Sequence, residues 1–412
     1  MRLVVFTGRC FSGRSPRPCR NTRSTSHESR TNFNTAVEPG RRFPYLVGMP
    51  LGLKRLIKHF SAIAVYYSGL FRLVLHWRKY SGRDSGYIIL MYHRVVDPED
   101  PTNRYTQAGM SVTHETFKKQ VAFLADKYRI LPLRELVTEL GSGRPPSPGT
   151  VVITFDDGWQ DNYRFGLPVL VNYRAPATIF LATDFIESNE LFWFLKVGVA
   201  LAESTEPASV VAAVVAAASA MNGSSGVTGG AAAQDSPDGI YGLDDVLEFM
   251  KRLDADQCER IADDLLTATG MPSETWQKRR WILSWEEIHE MRDQGIEFGS
   301  HGRSHRILTN LSADEARQEL VESKEILERE LGLAVSLFAY PNGAWDAAVL
   351  ELVKRAGYTA AIATSLYPSG RAAPDLFALG RVGIHEGVSQ GCTGKFSRAL
   401  FACAIHKVFP FR

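Results

Sequence analysis

The sequence predicts an α/β fold, a parallel sheet with helices outside it. Two observations carry that expectation. From residue 87 onward, apolar runs of strand length alternate with stretches of helical periodicity. The polar clusters that could do chemistry sit at the ends of those apolar runs, where open sheets and α/β barrels place their sites. With 412 residues, the chain is long enough for one large α/β barrel with an insertion, or for two domains.

The elements follow in chain order. Residues 1–48 carry nine Arg, no Lys and two acidic residues among many Ser and Thr. That composition is similar to a transit peptide's, or marks an over-extended gene start before Met49; on either reading it is set apart from the fold. Residues 49–80 form the next unit, with a basic amphipathic helix over 51–79. Apolar residues recur at Leu53, Leu56/Ile57, Phe60, Ile63/Ala64, Tyr67, Leu70/Phe71 and Val74, which is helical spacing. Lys54, Arg55, Lys58, Arg72, Arg78 and Lys79 supply positive charge, and Gly69 and Arg72 interrupt what would otherwise be a marginal membrane span. Such a helix suits an anionic membrane surface, or packs on the barrel with its charges in solvent. No cleavable signal peptide is apparent, so the expected location is cytoplasmic or peripheral to the cytoplasmic membrane.

Tyr87–Tyr92 reads as a buried strand ending at His93, followed by a helix around Glu115–Lys127 with Phe117, Val121 and Leu124 on one face. Val151–Phe155 and Ala177–Ala182 are the next strands. Residues 186–280 break the alternation. Val210–Ala220 is nearly all Ala and Val, and a Gly/Ser/Ala-rich stretch follows to about Gly239. The region reads as a mostly helical insertion with a flexible loop. The alternation then resumes. Ser284 with Glu287 and Ser312 with Glu315 are capping boxes that start two helices, and Gly332 stops the second. Ile296–Gly299 is a strand that delivers His301, and Val335–Tyr340 is a strand into Pro341-Asn342-Gly343. Ala347–Ala356 is a helix, and Thr359–Ala363 a strand. Residues 391–412 suggest a last amphipathic helix on Phe396, Leu400, Phe401, Ile405 and Val408.

Composition excludes some classes. A net charge of +2 gives no case for nucleic acid as a partner. Five scattered cysteines without a C-x-x-C pair argue against a disulfide framework or a cysteine zinc site.

The chemistry lies in two clusters. Thr154-Phe155-Asp156-Asp157-Gly158 follows the apolar run Val151–Ile153, and Ser300-His301-Gly302-Arg303-Ser304-His305 follows Ile296–Gly299. One carboxylate and two imidazoles can hold a divalent metal while the second carboxylate stays free as a base. His301 and His305 are four apart, so on a helical turn or a tight loop both rings can reach one ion. The ligand types suit zinc, with cobalt or another first-row ion as alternatives. Each cluster alone has a plainer reading, an Asp-Asp-Gly turn or a pair of surface histidines; together they point to hydrolysis. The acid that protonates the leaving group has two candidates, His93 and His385, each at the end of a strand-like run.

Together these residues resemble the polysaccharide deacetylase (NodB-homology) family over roughly 87–185 and 281–390, so that the barrel unit spans 87–390. The resemblance implies a distorted (β/α)7 barrel from which 186–280 extends near the mouth. It makes Asp156 the catalytic base, and Asp157, His301 and His305 the metal ligands. Phe338-Ala339-Tyr340-Pro341-Asn342-Gly343 is similar to the family's third motif, in which Tyr340 would line the groove and give its backbone N–H to the oxyanion. Tyr92-His93-Arg94-Val95 resembles a subgroup whose early His is the general acid, and that subgroup includes deacetylases of exported poly-N-acetylglucosamine. Two departures stand out. Many members carry an Arg, tethering the catalytic Asp, where this chain has Ala339; Arg381 is the substitute. The late Leu-x-His of other members has only Ile384-His385 as a partial match.

The implied activity is metal-dependent removal of N-acetyl groups from an N-acetylhexosamine polysaccharide or glycolipid, with Trp159, Pro341, Trp345 and Arg381 as candidate substrate contacts. The alternatives are an amidohydrolase on a small cyclic or linear amide, and a non-catalytic carbohydrate-binding protein. An open groove lined by Trp159, Tyr340 and Trp345 favours a sugar chain, whereas a closed pocket favours a small molecule.

Overall fold

The computed structural model describes residues 51–81, 86–143, 146–221, 242–270, 279–364 and 375–408. Residues 1–48 and most of the Gly/Ser/Ala-rich stretch lie outside them. Eleven strands are described: β1 Tyr87–Tyr92, β2 Arg94–Val96, β3 Ser111–Thr113, β4 Arg129–Ile130, β5 Thr150–Phe155, β6 Ala177–Leu181, β7 Glu297–Ser300, β8 Leu337–Ala339, β9 Ala360–Ala363, β10 Leu379–Gly380 and β11 Val382–Gly383. Eight of them form one parallel path, β11-β1-β5-β6-β7-β8-β9-β10. β4 runs beside the first half of β5, pairing Arg129 with Thr150. β2 and β3 form a separate parallel pair.

Only Arg381 separates β10 from β11, yet these two strands stand at opposite ends of the path. The sheet therefore curls into a nearly closed barrel whose seam is bridged by one residue, matching the distorted barrel expected from the resemblance. The burial pattern fits. β5, β6 and β9 are buried at every position, because a parallel strand between a barrel interior and a helical layer meets water on neither face. Strand alternation divides the apolar residues between two layers. Ile89, Val152, Phe180, Leu337, Ile362 and Leu379 share one cluster that plugs the barrel. Leu90, Val151, Ile153, Ile179 and Phe338 belong instead to the larger cluster shared with the helices.

Local signals set the helix ends. Ser284 and Ser312 each accept a hydrogen bond from the N–H three residues on, and Glu287 and Glu315 bond back. Gly332 ends the helix Ala313–Leu331 with φ 67°, a conformation that costs glycine little. The expected 51–79 helix is two helices, α1 Leu51–Tyr67 and α2 Leu70–Tyr80, broken where Gly69 adopts φ 84°. The C-terminal stretch forms the helix Arg398–Ile405, and it is buried against the barrel rather than exposed.

After α3 His114–Lys127, α4 Leu133–Gly141 and α5 Leu167–Tyr173, the insertion contributes α6 Trp193–Glu203, α7 Pro207–Met221, α8 Leu243–Met250 and α9 Ala255–Ala268. These form a second apolar cluster that includes Trp159, Trp281 and Ile282 from the barrel side, and Trp159 bridges to Ile282. Close approach fixes α6. A Cβ placed on Gly198 would lie 1.8 Å from the Tyr105 carbonyl oxygen, so only glycine fits without moving backbone. Gly198→Ala is expected to destabilise the fold by about 1–3 kcal/mol, read as a lower urea midpoint. An unchanged midpoint would mean that α6 is free to shift.

Candidate metal centre

The carboxyl ends of β1, β5, β7 and β8 deliver the site. Along β5, Val152 and Thr154 face the barrel interior, and Asp156 continues that side. Its carboxylate meets Arg381 in a two-pronged pair, with Nη1 and Nη2 donating to Oδ1 and Oδ2 at 2.6 Å each. Arg381 Nη1 also donates to Thr154 Oγ1 at 3.2 Å, and Nε to the Ala363 carbonyl at 3.3 Å. Thr154 in turn donates to the Leu90 carbonyl across the β1–β5 pair. The Arg381 side chain is fully buried. Of the two roles expected of Arg381, the geometry is that of the tether of Asp156, and the expectation of a substrate contact is corrected. It sits at the seam and points inward, so it cannot reach a substrate except through that carboxylate.

At Asp157 the chain leaves the strand with φ 72°, and Gly158 follows with φ 73°. The turn brings Asp157 Oδ1 to 3.5 Å from His301 Nε2 and 3.2 Å from His305 Nε2. The other oxygen, Oδ2, accepts a hydrogen bond from Trp159 Nε1 at 2.8 Å. His301 Nδ1 lies 2.8 Å from the Ala339 carbonyl. A carbonyl only accepts, so Nδ1 carries a proton and Nε2 is the nitrogen turned toward Asp157. His305 Nδ1 is buried with no partner among the described residues, and its ring stands edge-on to Phe192 and Phe194 of the insertion, at 5.1 and 5.6 Å. The His-x-x-x-His run is a loop, not a helix. Glu319 holds it by accepting from the Arg303 and Ser304 backbone N–H groups, at 2.8 Å each.

Of the six non-glycine residues with positive φ among the described residues, Asp157, His305 and Asn342 all lie at this end of the barrel. Backbone conformations of that kind are held in place by surrounding structure and concentrate at functional sites.

Asp157, His301 and His305 offer one carboxylate oxygen and two imidazole nitrogens within 4.8 Å of one another, all buried. A donor set of this kind fits a divalent ion that keeps an open position. The electrostatics agree. Burial pushes the Asp157 carboxyl up, but hydrogen bonds and charge from His301 and His305 outweigh it and hold it well below the usual range. For Asp156, burial again opposes ionisation, and the Arg381 charge, with His301 and the Arg381 hydrogen bonds, leaves it lowered.

His93 Nε2 is 4.0 Å from Asp156 Oδ2, with the side chain 19% exposed. Burial lowers its pKa, against the pull of Asp157 and Asp156. Asn162 fixes the segment by donating to the His93 carbonyl at 2.8 Å, and Asp161 accepts from the Val95 N–H and from Arg94 Nε. His385 does not join this cluster. Its Nδ1 accepts from the Gly387 N–H as a helix cap, and the charges that reach it are those of Lys58 and Glu386.

Two further expectations are corrected. Tyr340 does not line a groove. Ala339 faces the barrel interior, so alternation turns Tyr340 into the helical layer. There its hydroxyl donates to the Phe377 carbonyl, and its N–H already donates to the Ile362 carbonyl at 3.1 Å. Trp159 is fully buried beneath the insertion and supports Asp157 instead of a sugar. Pro341 is buried beside the His301 loop. Trp345 alone of the expected platform is open, 42% exposed and stacked on Tyr340 at 6.3 Å.

Sequence reasoning missed Asp161, Asn162, Glu319 and Asn342. Asp161 and Asn162 lie in the same run as Asp156-Asp157 and could have been asked what they hold. Nothing in the sequence around Glu319 marks it.

Substitution of any ligand, by Asp157→Asn, His301→Ala or His305→Ala, is expected to abolish metal binding in a direct metal assay. Trp159→Phe should weaken it about tenfold through loss of the bond to Asp157; unaltered affinity would return Trp159 to a packing role. Arg381→Gln leaves Asp156 buried and uncompensated, at a cost of about 3–5 kcal/mol. The double variant with Asp156→Asn should recover most of that in denaturant unfolding, and failure to recover it would deny the coupling.

Comparisons with known proteins agree with one family. The family model described as polysaccharide deacetylase matches residues 143–217 and 254–361. A Bacillus subtilis (strain 168) protein, YxkH, named for that family, is 21% identical over 315 residues, 76% of each chain. The poly-β-1,6-N-acetyl-D-glucosamine N-deacetylase of Staphylococcus epidermidis is 36% identical over 111 residues, 25% of this chain and 38% of the relative. Among solved structures, the Streptococcus pyogenes deacetylase PplD in complex with acetate gives a TM-score of 0.47 at 19% identity, covering 75% of this chain and 95% of that one.

Proposed function

We propose that this chain, which belongs to the polysaccharide deacetylase family, is a hydrolase that removes N-acetyl groups from an N-acetylhexosamine polysaccharide or glycolipid. The observation that carries the reading is the pairing of two neighbouring carboxylates with different partners, Asp156 on Arg381 and Asp157 on His301 and His305. One is kept for the base, the other for the metal.

Asp157 Oδ1, His301 Nε2 and His305 Nε2 would hold the ion, for which zinc is our choice and cobalt the nearest substitute. When bound, the ion supplies Lewis acidity toward the acetyl carbonyl and acidifies a water. Asp156 is kept ionised by Arg381, and lone pairs beyond those used by the guanidinium remain free to take the water's proton. His93 Nε2 stands beside Asp156 and is placed to give a proton to the leaving amine. The oxyanion donor we favour is the N–H of Asn342, which has no partner among the described residues, in place of the expected N–H of Tyr340, which is taken by the Ile362 carbonyl. Ordered donors of this kind act only where charge develops.

For the substrate, Trp345 offers an open aromatic face. A small amide is the second reading, favoured by the depth of the carboxylates, both nearly inaccessible. A membrane surface, met through residues 51–79 at the periphery of the cytoplasmic membrane, is the proposed second partner.

The deciding experiment is acetate release from N-acetylglucosamine oligomers and polymers by metal-stripped protein, with zinc or cobalt added back. Release should require metal. It should fall by about a hundredfold to ten-thousandfold in Asp156→Asn with metal retained, and by at least about a hundredfold in His93→Ala. Release from a small amide but from no glycan would select the second reading. A fully active Asp156→Asn would remove the assigned base.

A further inference from the structure

The helices α1 and α2 show two apolar faces. One is used: Ala62 and Phe71 are buried in the main core with the helix Arg398–Ile405. Arg78 clamps the end of α2 by donating to the carbonyls of His406 and Lys407. The other face is open. Leu53, Leu56, Phe60 and Tyr67 recur at steps of three, four and seven residues along α1, which keeps them on one helical face, and all are exposed. Leu70, Leu73, Trp77 and Tyr80 continue the same spacing along α2. Among the described residues, eight of the twelve exposed large hydrophobics fall in this one stretch, so the patch is a feature of these helices and not a general property of the surface.

A surface helix of a globular protein ordinarily has a single apolar stripe, turned to its core. A second, contiguous stripe marks an interaction surface. Charge says which kind. Residues 51–80 contain six Lys or Arg and no Asp or Glu. Arg55, Arg72 and Lys79 are exposed beside the apolar stripe. An apolar face with Trp and Tyr at its edge and cations alongside matches the boundary between lipid headgroups and acyl chains. No helix among the described residues is long and apolar enough to cross a membrane, so the pair would lie in the interface.

We propose that α1 and α2 form an interfacial anchor that binds anionic bilayers. This stands apart from the deacetylase reading. The fold also sets how the barrel would lie. His59 of α1 accepts a hydrogen bond from the Cys392 N–H, and Lys58 acts on His385, which follows β11. The first half of α1 is therefore at the same end of the barrel as the metal centre. Phe71 at the start of α2 and Arg78 near its end both reach His406, which meets Tyr128 just before β4, at the opposite end. The anchor runs along the flank of the barrel, so the barrel would lie on its side with its mouth at the membrane surface.

The test is flotation of the full-length protein with vesicles of phosphatidylcholine alone or mixed with phosphatidylglycerol. The protein should float with the anionic vesicles, and salt should weaken the binding. Phe60→Glu combined with Leu73→Glu, both at exposed positions, should lower partitioning by at least about tenfold, with the circular dichroism spectrum retained. Arg55→Glu with Lys79→Glu should remove the preference for anionic lipid. Wild-type protein that stays with the aqueous phase would overturn the proposal, as would an unimpaired Phe60→Glu/Leu73→Glu variant. A dimer in sedimentation that this variant disrupts, without vesicle binding by either protein, would give the face to a second copy and would likewise overturn it.

Discussion

The ion pair between Arg381 and Asp156 is the interaction on which the barrel and its chemistry both depend. β10 and β11 are two residues each and lie on opposite sides of the seam, so backbone pairing at this junction is sparse. The guanidinium fills the gap from inside. It reaches the Ala363 carbonyl on one side and Thr154 and Asp156 on the other, above the apolar plug of the barrel. A buried pair of this kind is weak evidence for net stability, since desolvation opposes the attraction. What it gives is geometry. Two parallel N–H···O bonds fix the plane of one carboxylate and keep it charged where burial alone would neutralise it.

That constraint separates two chemically identical neighbours. Asp156 remains on the strand and is held by a cation; Asp157 turns off it and faces two imidazoles. The remaining polar groups orient these. The Ala339 carbonyl sets the His301 tautomer, Trp159 occupies the oxygen of Asp157 that the histidines do not face, and Glu319 ties down the loop between His301 and His305. Partners of this sort determine how tightly a metal is held as much as the ligands do. The insertion takes part as well, because Phe192 and Phe194 pack on His305 and Trp159, lowering solvent access to the ligands.

The elements outside the barrel have a different logic. α1 and α2 are fixed to the C-terminal helix by Phe71, Ala62 and Arg78, yet leave a row of large apolar side chains in water. Exposure of that kind is unfavourable to solubility. It is confined to a stretch without acidic residues, which separates it from the mixed-charge surface of the helix Ala313–Leu331.

By itself, the sequence determined whatever rests on short-range physics. Alternating apolar runs set the strands, and the capping boxes at Ser284 and Ser312 set helix starts; the break at Gly69 that makes two helices of one expected helix came only with the structure. The Asp-Asp and His-x-x-x-His clusters were legible because each lies within a few residues of chain. Only the tertiary structure decided which distant groups they meet. Arg381 is 225 residues from Asp156; the resemblance offered it as a tether and its chemistry as a substrate contact, and no local pattern chooses between the two at that range. Tyr340 and Trp159 were misread for a related reason. Their chemistry suits a sugar, but strand alternation turns one into the helical layer and the insertion buries the other. His93 and His385 both end strand-like runs. Register across β1, β5 and β11 sets one beside the carboxylates and leaves the other capping a helix, because a side chain's neighbours are fixed by strand pairing rather than by its own sequence.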